Sequence, residues 1–141
     1  MKSVFAAVIG LVLASGAAMA GQPVGTWLSQ DGGTKVRLSD CGGKLCGVVV
    51  WLKEATDPKT GKPKTDIHNP DASKRARPMM GLQVVQGLTP DGANRWSGSI
   101  YNADDGNTYS AHMTVGDGNT ADVQGCVLGV LCKTQKWPRA D

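Results

Sequence analysis

The sequence predicts an all-β protein, about eight short antiparallel strands curled into an up-and-down barrel, with one long loop carrying a short helical turn. Three observations point there. Apolar and polar residues alternate in one segment after another, as in Val36 and Leu38 against Lys35, Arg37 and Ser39, the period of a strand with one wet face. Turn signals such as Asp31-Gly32-Gly33, Asp91-Gly92 and Asp105-Gly106 separate these segments at short intervals, as in linked hairpins. A flat sheet of this many short strands leaves two aggregation-prone edges, which closure removes. An eight-stranded barrel has room inside for side chains or one small ligand. A partly open two-sheet sandwich is the alternative.

In chain order, residues 1–20 read as a secretory signal, with Lys2 as the basic start, Val4 to Ala14 as the apolar stretch and Ala18-Met19-Ala20 as the cleavage pattern. Residues 21–141 then form a single domain, a length that suits one core and not two. The residue directly after the cleavage site is Gly21 and not cysteine, so no lipid anchor is expected. No later apolar run reaches the roughly 18 residues of a spanning helix, so no membrane insertion is expected either. The expected location is periplasmic or secreted.

Gly25 to Ser29 opens as a short strand, and Thr34 to Leu38 alternates as the next. Leu45 to Lys53 follows across a glycine-rich turn, and its Val48–Leu52 stretch reads as buried on both faces. Glu54 to Thr65 is a loop broken by Asp57-Pro58 and Lys62-Pro63. Asp71 to Arg75 predicts one helical turn capped by Asn69 or Asp71 and stopped by Pro78. Strands resume with Leu82, Val84 and Val85, then Trp96, Gly98 and Ile100, then Tyr109, Ala111, Met113 and Val115. Another ends at Cys126, and Leu131 to Trp137 is the last.

Four cysteines follow the signal, Cys41 with Cys46 and Cys126 with Cys132. In an exported chain an even count suggests disulfides, of which four cysteines allow three connectivities. Each close pair brackets an expected turn and cross-strand neighbours lie within bonding reach, which favours the two local bonds. A four-cysteine zinc site is the alternative, with looser spacing than structural zinc sites use. The exported chain keeps fourteen Lys and Arg against twelve Asp and Glu, which is no nucleic-acid-binding signature.

Several blocks together carry a family likeness: Gly25-x-Trp27, Cys41-Gly-Gly-Lys-Leu-Cys46-Gly, Asp66-x-x-Asn69-Pro70-Asp71, Arg77-Pro78-x-x-Gly81-Leu82, Trp96-x-Gly98-x-Ile100-Tyr101, Gly106-x-Thr108-Tyr109 and Trp137-x-Arg139. Over nearly all of the exported part the chain resembles the DUF2147 family of exported bacterial proteins, whose role is unassigned. The resemblance implies a lipocalin-like (calycin-like) barrel. Its Gly-x-Trp on the first strand and basic residue after the last correspond to Trp27 and Arg139. A guanidinium stacked on an indole is worth roughly 0.5–2 kcal/mol, so this pair reads as barrel closure and not as a ligand site.

The best functional candidate is Asp66 to Gly81, long and irregular in an otherwise economical chain. It offers acceptors in Asp66, Asn69 and Asp71 and cationic forks in Arg75 and Arg77. The forks suit a carboxylate or phosphate at the barrel mouth. In the competing structural account the same acids cap the turn and pair with the same arginines, so that the loop plugs one barrel end. Trp51, Trp96, Tyr101 and Tyr109 either line a cavity or fill it, and a chain with seven aromatics leans to a filled core.

No catalytic residue is expected. Ser97-Gly98-Ser99 lacks the Gly-x-Ser-x-Gly frame, and His68 and His112 sit on no nucleophile motif. The two histidines with Asp66 lack compact metal spacing. Asp104-Asp105-Gly106-Asn107 reads as a hairpin turn and not as a calcium loop. No cofactor or metal is expected. The first functional expectation is a periplasmic binding barrel, monomeric or weakly dimeric, for a small, partly apolar molecule, acids among the candidates. The alternative is a protein-interaction module, such as an inhibitor of an envelope enzyme, acting through the 54–81 loop.

Overall fold

The computed structural model describes residues 22–141, and the expected signal at 1–20 lies outside the described residues. Eight strands follow in order: β1 Gly25–Leu28, β2 Thr34–Asp40, β3 Leu45–Leu52, β4 Gln83–Pro90, β5 Arg95–Asn102, β6 Asn107–Val115, β7 Thr120–Val127 and β8 Leu131–Pro138. Each pairs antiparallel with the next in one sheet of order β1 to β8. The only helical element among the described residues is a 3-10 turn, Ala72–Lys74. Asp71 caps it, its Oδ1 accepting from the Ser73 N–H at 3.0 Å.

Curling brings the last strand back to the first. Trp27 and Arg139 form a bridge, and the Ala140 N–H donates to the Thr26 carbonyl at 2.7 Å. β1 has four residues and β8 has eight, so the seam is latched at one end only. Further up, the Lys136 N–H donates to the Gln30 side chain at 2.8 Å in place of a strand. The result is a curled sheet with a closed end, holding the 41–44, 91–94 and 116–119 turns and the latch. Its open end holds the 29–33, 53–82, 103–106 and 128–130 connections.

The latch explains two residue choices. The Arg139 guanidinium carbon lies 4.3 Å from the centre of the Trp27 ring, and the same group donates to the carbonyls of Val24 at 2.9 Å, Gln22 at 2.5 Å and Gly118. Gly25 has φ +136°, and a Cβ there would collide with the Arg139 side chain, so glycine is the residue that lets the cation sit over the indole.

The closed end is densely packed. Trp27, Leu38, Leu88, Met113 and Val115 are each at most 2% exposed, and the Trp27 indole N–H is satisfied by the Pro23 carbonyl at 2.8 Å. Toward the open end the inward positions carry Val36, Val49, Val84, Val123 and Gly125, and the barrel is hollow there, with a cavity of about 640 Å³. Valines and a glycine do not reach across the barrel, so the lean toward a filled core fails in this half.

The reading of Val48–Leu52 as buried on both faces is also corrected: Val50 and Trp51 are 37% and 38% exposed. A single curled sheet has one dry face. A register shift between Lys35 and Val36 turns Trp51 outward, where the Lys35 ammonium caps its ring at 4.9 Å.

Candidate functional site

Two features meet at the open end. The first is the anchor of the long connection on the outer wall. Asp66 is fully buried, with Oδ1 accepting from the Tyr101 hydroxyl at 2.6 Å. Its Oδ2 accepts from Asn69 Nδ2 at 2.8 Å and Arg77 Nη2 at 3.0 Å. Its own N–H donates to the Arg77 carbonyl at 2.9 Å, which closes the segment on itself. Burial pushes the carboxyl pKa up, but the donations from Tyr101, Asn69 and Arg77 outweigh it and hold the group below its usual range. The Tyr101 hydroxyl is pushed up to about 12 by burial and by the Asp66 carboxylate.

Tyr101 pairs with the exposed Thr108 on the face opposite Ile100, so this network sits outside the barrel wall. The segment also clasps the β5–β6 turn, since a side chain at Gly106 would run into the His68 carbonyl. Beside the anchor lies a polar groove of about 540 Å³, lined among others by Asp71, Lys74, Arg77, Gln83, Gln86 and Thr108.

The second feature is the hollow half of the barrel. Val36, Val49, Val84, Ile100 and Val123 form apolar wall, Trp137 lies at its floor, and Met79 of the long connection borders it. Lys133 and Gln135 face the same way as Trp137 and reach it from β8, and Gln135 Oε1 accepts from the Trp137 indole N–H at 3.1 Å. Around the rim stand Asp31, Asp104 and Asp105. Asp31 is held below the usual carboxylate range by the Ser29 hydroxyl and the Gly33 N–H. Asp105 accepts from the Tyr109 hydroxyl and, at 2.9 Å, from the Asn107 N–H, so two of the three rim acids already have donors. Such a chamber, with apolar wall and polar groups in about equal share, falls within the roughly 300–1,000 Å³ of small-molecule sites.

The family profile described as "Uncharacterized protein conserved in bacteria (DUF2147)" matches residues 25–139. The chain belongs to the DUF2147 family. A solved structure supplies the fold comparison: protein HP1028 from the human pathogen Helicobacter pylori, described as belonging to the lipocalin family. It superposes with a TM-score of 0.71 at 22% identity over 85% of this chain and 84% of that one. No curated protein matches the chain. For this DUF2147 protein the barrel is therefore lipocalin-like. Membership of a bacterial family and two disulfides, Cys41–Cys46 and Cys126–Cys132, fit an exported protein. No helix among the described residues is long and apolar enough to cross a membrane.

The structure gathers only part of the sequence-derived candidate set. Asp66, Asn69, Arg77 and Tyr101 meet in the anchor, with Asp71 beside them. Arg75 is turned onto the Asn69 carbonyl at 2.7 Å. Neither arginine borders the chamber. Tyr101 and Tyr109 border it, whereas Trp51 is on the outer wall and Trp96, half-buried, packs against the core. Sequence reasoning passed over Lys133, Gln135 and Trp137. The signal was there, because residues two apart on a strand share a face, and counting back from Trp137 puts Gln135 and Lys133 on its side.

Proposed function

We propose that this protein is a periplasmic binding barrel whose open half holds a small, partly apolar acid. The single observation that supports this most is the 640 Å³ chamber, whose wall is about half apolar and which the Lys133 side chain reaches. An acyl or aryl body would displace water from Val36, Val49, Val84, Ile100 and Val123. Each buried CH2 would gain about 0.8 kcal/mol. Lys133 has no carboxylate within 4 Å among the described residues, so it would meet the acid group, while Asp31 and Asp105 are already engaged at the rim.

Titration of tryptophan emission with decanoic acid, decanol and decylamine tests the reading, because Trp137 lies in the chamber floor. The expected order of affinity is acid, then alcohol, then amine. Lys133→Met should erase the preference for acid, and Ile100→Phe, which narrows the chamber, should weaken all three. An order led by the amine would show the rim acids selecting a cation, and no response to any probe would remove the binding reading.

A second reading keeps the 54–81 connection as the contact surface for an envelope protein, supported by the polar groove between Lys74, Arg77 and the outer wall at Gln83 and Gln86. Capture of a partner from envelope extract that survives Lys74→Glu with Gln86→Glu would count against it.

A further inference from the structure

The charges that line the chamber are not matched by a carboxylate alone. Asp31, Asp104 and Asp105 stand around the mouth, and Lys133 is the one cation among the lining residues. None of the seven Lys and Arg of the 53–82 connection lines the chamber, to which that connection contributes only Met79. The donors on Asp31 and Asp105 are hydroxyls and backbone N–H groups, so they hold those carboxylates without cancelling their charge. The Asp104 carboxylate is exposed, and no Lys or Arg lies within 4 Å of it among the described residues.

One stretch of wall sets the two signs of charge side by side without pairing them. Gly125 of β7 lies opposite Lys133 of β8. On its other flank, a Cβ placed at Gly125 would lie 3.6 Å from the Cβ of Tyr109 on β6. The Tyr109 hydroxyl donates to Asp105, so the ring leads from the gap at Gly125 to the acids of the β5–β6 turn. Lys133 has no carboxylate within 4 Å among the described residues, and the ammonium and the acids flank that gap as separate charges. Two residues further along the same face, Gln135 gives its Oε1 to the Trp137 indole N–H at 3.1 Å. That leaves the Gln135 amide nitrogen as a second donor beside Lys133. Lys133 is the third residue of β8, next to the open end, so both signs of charge sit at the mouth, with the valines and the Trp137 floor beneath them.

We propose that the chamber takes an α-amino acid with an apolar side chain, held tail inward with its zwitterionic head at the mouth. Its carboxylate meets Lys133 and Gln135, and its ammonium faces Asp104 and Asp105. The inference rests on the acid-binding reading above and narrows it. A plain carboxylate gains Lys133 but enters against three like charges, and a plain amine gains the acids but sets a like charge against Lys133. A molecule with both charges on one carbon meets complementary potential at each end of its head and is selected over either.

Calorimetric titration at low salt with probes of one chain length decides it: decanoate, α-hydroxydecanoate, α-aminodecanoate and the methyl ester of the last. The α-amino acid is expected to bind at least roughly fivefold more tightly than the other three, by a margin that shrinks in high salt. Asp104→Asn should leave thermal unfolding unchanged and cut the margin over α-hydroxydecanoate at least roughly twofold, without weakening α-hydroxydecanoate itself. Lys133→Met should bring the α-amino acid down to the level of its ester. Decanoate or α-hydroxydecanoate binding as tightly as α-aminodecanoate overturns the proposal and leaves the acid-binding reading standing. A margin untouched by Asp104→Asn overturns it in the same way. Tightest binding by the ester, or no binding by any probe, overturns both.

Discussion

Asp66 shows how one buried carboxylate organises a segment. It is fully buried, yet its two oxygens accept three side-chain hydrogen bonds, and no buried side-chain polar atom among the described residues lacks a partner. Truncation leaves Tyr101, Asn69 and Arg77 facing an empty space, so Asp66→Ala should lower stability by about 3 kcal/mol in urea unfolding. Tyr101→Phe, which removes one donor, should cost about 1 kcal/mol. The folded-state pKa of Asp66 lies below its unfolded value of 3.8. The unfolded chain therefore takes up the proton first. The stabilisation is complete above pH 3.8 and is lost as pH falls through the folded value. Wild-type unfolding midpoints should drop steeply below pH 4, and those of Asp66→Asn should drop less. The Asp66-x-x-Asn69-Pro70-Asp71 block and Arg77 were legible in sequence as a unit. Tyr101 was legible only as an aromatic, because its partnership spans 35 residues and no local period encodes that contact.

Among the elements, the alternation of single residues placed nearly every strand, and Asp71 was visible as a cap because its acceptor acts two residues away. Where one residue disturbs the register, sequence reading failed. The shift at Lys35/Val36 is what rotates Trp51 outward, and an apolar run gives no hint of it. The β1–β8 seam tests how much one side chain contributes to closure. Arg139 is 14% exposed and joins the Trp27 ring to the Val24, Gln22 and Gly118 carbonyls. Arg139→Ala should cost about 2–3 kcal/mol, from the lost stacking and at least one well-made charged hydrogen bond. Arg139→Lys should recover less than half of that, because an ammonium is a point charge and cannot serve three carbonyls and a ring at once. Full recovery by lysine would mean that charge alone, without the planar fork, holds the seam.

At the scale of the whole molecule, the closed end is packed and latched, while the open end has a chamber and an upper β8 that pairs with β7 on one side and has no strand on the other. Composition could not show this division, since it depends on which inward positions carry Val, Gly and Lys, and on β1 being half the length of β8. The division predicts a gradient of local stability. Amides of β6 near the closed end, at Ala111 to Val115, sit in ladders flanked by β5 and β7 and should exchange only with global unfolding. Amides at Cys132 to Gln135 should exchange through local opening, orders of magnitude faster. If the chamber holds an acid against Lys133, that opening requires its release. Ligand at about a hundred times its dissociation constant stabilises the bound form by about 2.7 kcal/mol, so exchange at 132–135 should slow about a hundredfold. A uniform slowing across all strands would instead indicate global stabilisation without a preferred site. Unchanged exchange at 132–135 with slowing confined to 66–77 would move the ligand to the outer groove beside Arg77.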